Sequence, residues 1–297
     1  MLLCIVITLP IFFILIESLK IDDFLNNLQN NIIGYLNDTG KLIFYTCIFS
    51  LLMGVPSAWI ITHYDIRFKT TLDLLLVLPL SIPCYIMAFT YADILGYNGY
   101  LDIFLQKMFL VNITFDVLSI EWLSFFLALA LYPYVYTTSR ISFSLIGKTY
   151  LDLAKSLGLP SLNRFFKVAL PLSFSGIFAG TLLIIMEVLN EYGAVNYFGI
   201  KTFSVGIFKY WFSMDQKSIA ILFAVFLLII VFLLIGLSNY FKKSNSKLTY
   251  HLKSSLMVSK PIKSITLKLI HYSLLFVPIF FGLFVPLFFI INNVKKI

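Results

Sequence analysis

Charge is what this chain has least of. Only 12% of its 297 residues are Asp, Glu, Lys or Arg, about half the share in a soluble globular domain. Hydrophobic residues reach 60% and the mean hydropathy is +0.95, which excludes an ordinary soluble domain. Cysteine is scarce as well. Cys4, Cys47 and Cys84 each lie in an apolar run, and none belongs to a C-x-x-C pair. They indicate neither a disulfide framework nor a metal site and read as small buried hydrophobes. His63, His251 and His271 lie far apart, without H-x-x-x-H spacing, so no protein-borne metal site is indicated. No Gly-x-x-x-x-Gly-Lys-Ser/Thr loop, nucleophile–base pair or zinc motif occurs. The chain reads as neither a nucleotide-binding protein nor an enzyme, with no cofactor of its own.

What it has instead is apolar length. A bilayer span takes about 20 apolar residues, and seven runs qualify as candidates: Met1–Ile16, Leu42–Ile61, Leu72–Leu95, Leu123–Thr138, Ser173–Leu189, Ile219–Leu237 and Leu269–Ile291. The first has the length of a signal-peptide core. It lacks a basic segment before it, and Glu17-Ser18-Leu19-Lys20 is no small-x-small cleavage site, so a retained helix is expected. The fold class expected is all-α, a polytopic membrane bundle of about seven helices.

Basic residues orient the bundle. Arg67 and Lys69 follow the second run. Arg140, Lys148, Lys155, Arg164 and Lys167 follow the fourth, against Asp152. Lys242, Lys243, Lys247, Lys253, Lys260, Lys263 and Lys268 follow the sixth, with no acid among them. The alternate segments hold Asp22, Asp23, Asp38, Asp102, Asp116, Glu121, Glu191 and Asp215. The basic loops, and with them the N-terminus, are expected in the cytoplasm. The net charge of +8 is then mostly topology, and nucleic acid is a poor partner. Ser238–Lys268 reads as a polar linker, with binding to anionic membrane lipid as the other reading.

The loop after the fourth run carries the sharpest pattern: Asp152-Leu153-Ala154-Lys155-Ser156-Leu157-Gly158, nine residues, then Val168-Ala169-Leu170-Pro171. Thr149 is positioned to cap a helix, Asp152 to complement its dipole, and Leu153, Ala154 and Leu157 to form a small apolar face. Gly158 permits a turn and Pro160 stops the helix. A second short helix is expected through Leu162–Leu170, ending before Pro171. With no partner, this would be an amphipathic helix lying along the membrane.

The same spacing resembles the Glu-Ala-Ala, three residues, Gly, nine residues, Ile-x-Leu-Pro signature of bacterial ABC importer permeases, with Asp152, Leu153 and Val168 departing from it. The resemblance implies a type I importer permease fold and an ATPase-docking loop of Asp152, Leu153, Ala154, Gly158, Leu170 and Pro171. Gly54-Val55-Pro56-Ser57-Ala58-Trp59, Leu78-Pro79-Leu80-Ser81-Ile82-Pro83, Glu187-x-x-x-Glu191-Tyr192-Gly193-Ala194-Val195 and Thr202-Phe203-x-x-Gly206-Ile207-Phe208-x-x-Trp211 resemble the ferric-iron branch, a pattern that thiamine permeases share. The partners implied are cytoplasmic ABC ATPase subunits, an extracytoplasmic solute-binding protein, and a second permease half or copy. Location in a bacterial inner membrane follows. A non-transporting scaffold or sensor is the reading from another class. Neighbouring genes for an ATPase and a binding protein would separate the two.

The resemblance also implies domains: residues 1–40 as a first helix and outer segment, 41–238 as a core with the docking loop at 149–171, 239–268 as the linker, and 269–297 as the first helix of a second half. Within the core, Pro79 and Pro83 interrupt an apolar run, so a bent helix is expected. It either lines a pathway or only sets packing. Glu187 and Glu191, four residues apart, would put two acids along a cation's path. Alternatively Glu187 holds spans together by pairing with a polar neighbour.

Overall fold

In the computed structural model, residues 2–18, 24–109, 116–249, 260–261 and 264–294 are described. Of the segments discussed above, Asp22, Asp23, Lys295, Lys296 and linker residues 250–259 and 262–263 lie outside them. So do the side chains of Cys4 and Thr149.

The described chain is helical. Helix α1 (Leu2–Ser18) packs against α13, and α2 (Phe24–His63) is the first long span. Next come α3 (Lys69–Val77), a 3-10 turn at Leu78–Ser81, α4 (Cys84–Leu95) and α5 (Tyr100–Phe109). Helix α6 (Ile120–Leu145) is the central span. An elbow follows: α7 (Gly147–Ser156), α8 (Ser161–Arg164), a π turn at Phe165–Ala169 and α9 (Leu170–Leu172). Helix α10 (Phe174–Asn190) recrosses the bundle. The short α11 (Gly193–Tyr197) and α12 (Phe203–Phe208) precede α13 (Lys217–Thr249). The last span is α14 (Ile265–Ile279), a π turn at Phe280–Phe284 and α15 (Val285–Val294).

Among the described residues, four stretches are long and apolar enough to cross a membrane: Ile32–His63, Ile120–Leu145, Lys217–Asn239 and Ile265–Asn293. Two more runs are broken. Lys69–Ser81 and Cys84–Met108 meet at 91°, and Ser161–Leu172 and Phe174–Asn190 at 69°. The run Leu72–Leu95 is therefore not one straight span. Pro79 and Pro83 supply no backbone N–H, and the chain between them becomes a 3-10 turn and then extends.

Helix α6 is the hub, buried along most of its length from Leu123 to Phe143. Glycines bring its neighbours close. A Cβ at Gly54 of α2 would lie 3.0 Å from Tyr136 N and 3.1 Å from Tyr132 O, so these two backbones touch. Gly176 and Gly180 of α10 sit against Thr138, Ser142 and the α6 backbone in the same way. Their spacing is the Gly-x-x-x-Gly of closely packed membrane helices. A smaller outer cluster packs Tyr35 edge-on to Phe223 at 4.8 Å, beside Phe203 and Tyr210.

Two features lie beyond what the sequence reading described. Helix α13 runs on to Thr249, well into the segment read as linker. The seventh run, read as the first helix of another half, packs onto this same bundle: Leu275, Ile279 and Leu283 are buried with the core, and α14 lies against α2 and α3. Lys260–Pro261 pairs in parallel with Tyr64–Asp65, a two-residue ladder.

Candidate functional site

The elbow is built by its punctuation. Gly158 has φ +79°, Gly158 N–H donates to Lys155 O at 2.9 Å, and Leu159 N–H donates to Ala154 O at 3.1 Å. This is a Schellman end to α7, available to glycine because the left-handed region penalises a Cβ. No atom lies within 4 Å of where that Cβ would stand, so the constraint at Gly158 is backbone conformation and not side-chain bulk. Pro160 then starts α8 in extended conformation.

Several expectations for this element are corrected. Helix α7 begins at Gly147 and not at Thr149, so Thr149 is its third residue and Asp152 its sixth, beyond the first turn where a carboxylate favours the dipole. Leu153, Ala154 and Leu157 do not share a face. Leu153 and Leu157, four residues apart, are exposed at 58% and 81%, whereas Ala154 is buried with Leu151, three residues before it. The reason is the 3.6-residue period. The second helix continues past Leu170 and Pro171 to Leu172, because the π turn shifts the ladder by one residue ahead of the proline. Leu170 is half-buried and Pro171 exposed. The elbow thus has two faces. Leu153, Leu157, Leu162 and Phe166 point away from the bundle, while Leu151, Ala154 and Ala169 are buried in it. Large apolar groups thus stand outward beside Lys155 and Lys167.

The second candidate lies where the break before α4 meets the turn that follows α10. Pro79 is buried against Gly282 of the last span, where a Cβ would come within 3.2 Å of its ring. It sets packing. Pro83 is exposed and opens α4. Directly after it, Tyr85 reaches Gly193, the residue that starts α11; a Cβ on Gly193 would lie 3.2 Å from Tyr85 Cβ and 3.6 Å from Glu191 Oε1. Cys84 is within electrostatic reach of both Glu187 and Glu191.

The two acids have different surroundings. Glu187 is exposed on α10, and Tyr134 of α6 donates its hydroxyl to Glu187 Oε1 at 3.1 Å. Glu191 is not one helical turn further along the same face, because α10 ends at Asn190 and Glu191 is extended. Its Oε1 accepts Ala194 N–H at 2.9 Å and its carbonyl accepts the Ser204 hydroxyl at 2.7 Å. Glu191 therefore fastens the turn between α10 and α12, while Glu187 stands open beside it. The sequence reading missed Tyr134 and Tyr85. They belong to other elements, and their spacing along the chain carries no trace of this approach.

A helical membrane bundle with broken spans, an elbow and a hub helix is the type I importer permease fold. The crystal structure of a bacterial alginate ABC transporter in complex with an alginate pentasaccharide-bound periplasmic protein shares it, with a TM-score of 0.64 at 15% identity over 86% of this chain and 94% of that one. The chain belongs to the family described as "Binding-protein-dependent transport system inner membrane component", which residues 32–247 match. It is 32% identical over 154 residues to the sulfate transport system permease protein CysT of Salmonella typhimurium, covering 51% of this chain and 53% of that protein. It is 27% identical over 153 residues to the spermidine/putrescine transport system permease protein PotB of Haemophilus influenzae, covering 51% and 54%. The match spans about half the length of each relative.

Proposed function

We propose that this chain is the membrane-spanning permease subunit of a binding-protein-dependent ABC importer, and that its solute is a cation, ferric iron first. The bundle lies in a bacterial inner membrane with its N-terminus in the cytoplasm. An extracytoplasmic binding protein delivers solute to the outer ends of the spans. Cytoplasmic ATPase subunits grip the outward face of the α7–α9 elbow, and ATP hydrolysis takes place in them. Each bundle offers one elbow among its described residues, so a working importer pairs it with a second half or a second copy. Nucleotide acts by binding the two orientations of the bundle unequally.

The observation that carries the solute class is the approach of the break before α4 to Glu187 and Glu191 at the end of α10, in a chain otherwise poor in charge. A carboxylate inside an apolar bundle is costly and faces a wet cavity or another body. It opposes an oxyanion such as CysT's sulfate and suits a cation. The motifs shared with ferric-iron permeases favour iron. Thiamine, also cationic, is the second reading on the same motifs.

The test is uptake into proteoliposomes holding the chain, its ATPase and its binding protein, with labelled ferric iron, thiamine, spermidine and sulfate as probes. Ferric iron should enter, and Glu187→Gln should abolish entry with assembly intact. Uptake of sulfate, or uptake indifferent to Glu187→Gln, would sink this reading.

A further inference from the structure

We infer that Trp59, at the inner end of α2, is the positioning residue that passes movement of the elbow into the bundle. This rests on the reading of the elbow as the ATPase contact. The ring of Phe165, in the elbow's π turn, lies 5.3 Å from that of Trp59. Phe143, at the inner end of α6, lies 5.3 Å from Trp59 and 6.2 Å from Phe165. Trp59 also stacks on His63 at 4.4 Å and 11°. One ring thus touches the elbow and both long spans.

What lies behind that contact is stiff. Gly54 seats the α2 backbone directly on α6, and Gly176 and Gly180 seat α10 on the other side of it. Helices α2, α6 and α10 are therefore built to move together, because close-packed backbones resist sliding. Helix α4 meets α6 through side chains, Tyr91 stacked on Phe126 at 4.9 Å, and not through a glycine seat. It begins after the break at Pro79–Pro83, and the Glu187–Glu191 junction lies between it and α10. A push on Phe165 reaches Trp59, tilts the stiff unit and changes how the junction opens. Coupling of this kind needs an element with two arrangements, and the 91° break supplies the hinge.

Cys84 at the junction gives a readout that needs no solute. The full complex with its ATPase is prepared with Cys4→Ser and Cys47→Ser, and Cys84 is labelled with a water-soluble maleimide, without nucleotide and with ADP–vanadate. The parent's labelling rate should change several-fold. Trp59→Ala and Phe165→Ala should lose that change while the ATPase still co-purifies, and Trp59→Phe should restore most of it. A parent rate indifferent to nucleotide, or a full response in Trp59→Ala, would overturn the inference. If Trp59→Ala does not assemble, Phe165→Leu at its partly exposed position is read instead, with the same two outcomes. Leu157→Asp, on the outward face, tests the docking reading separately. It should release the ATPase, and retention would overturn docking, and the inference with it, through a different measurement.

Discussion

Tyr136 on α6 donates its hydroxyl to Oδ1 of Asp73 on α3 at 2.5 Å. The other carboxylate oxygen of Asp73 takes the guanidinium of Arg140 at 2.6 Å. One acid thus ties α3, the first half of a broken span, to the hub helix. The tyrosine is fully buried, while the Arg140 side chain is 45% exposed. A buried hydrogen bond to a charged group contributes about 1.5–3 kcal/mol, and a half-exposed ion pair under about 1 kcal/mol. Tyr136→Phe should therefore lower the melting temperature in detergent more than Arg140→Ala does. The reverse order would mean that the ion pair is the stronger tie.

The glycines of the bundle divide into two kinds, and the same substitution should act on them with opposite sign. A Cβ at Gly180 would meet Val135 Cα at 2.8 Å and Tyr134 O at 2.9 Å, both fixed backbone atoms. At Gly236 of α13 nothing lies within 4 Å. Gly180→Ala should destabilise by about 1–3 kcal/mol through overpacking. Gly236→Ala should be neutral or stabilise by up to about 1 kcal/mol, since alanine favours helix. Thermal melts of the two variants decide it. Equal shifts would refute the close approach of α10 to α6.

At Gly158 the demand is for a left-handed backbone with open space around it. Valine pays for φ +79° about 1–2 kcal/mol, whereas asparagine visits that region more readily. Gly158→Val should reduce ATPase co-purification and the stimulation of its hydrolysis several-fold while insertion stays normal. Gly158→Asn should lie close to the parent. Equal losses in both variants would point to bulk at the contact and against the turn.

Local features were legible in the sequence. The apolar runs announced the spans, Gly158 and Pro160 announced the elbow's turn, and Pro79 and Pro83 announced a bend. Register within short helices was not legible. Starting α7 at Gly147 instead of Thr149 was enough to move Asp152 out of the first turn, and one apolar face proved to be two. Gly176-x-x-x-Gly180 was visible as a small-residue pattern and went unread. Pairings between distant elements left no local sign. Tyr136 and Asp73 are 63 positions apart, Tyr134 and Glu187 53. What brings them together is packing on α6, which no window of sequence contains.

The last span shows the same limit and yields the most direct test of the architecture. A π turn breaks the usual helical register, and at Phe280–Phe284 the carbonyl of Phe281 accepts the Tyr91 hydroxyl of α4. Next to it, Gly282 leaves no room for a side chain, since a Cβ would stand 3.0 Å from Leu129 O and 3.2 Å from the Pro79 ring. Near the start of α14, the backbone N–H of Arg67 donates to the Tyr272 hydroxyl at 3.2 Å. These contacts hold α14 and α15 to the same chain's α3, α4 and α6. Arg67→Cys with Tyr272→Cys, in a background lacking the native cysteines, should therefore cross-link within one chain through a short bis-maleimide. Adding Gly282→Val should lower the yield several-fold by forcing the span away from Leu129 and Pro79, while Tyr91→Phe, which removes one hydrogen bond of about 1 kcal/mol, should lower it only slightly. A cross-link forming only between two chains would place this span on a partner bundle instead.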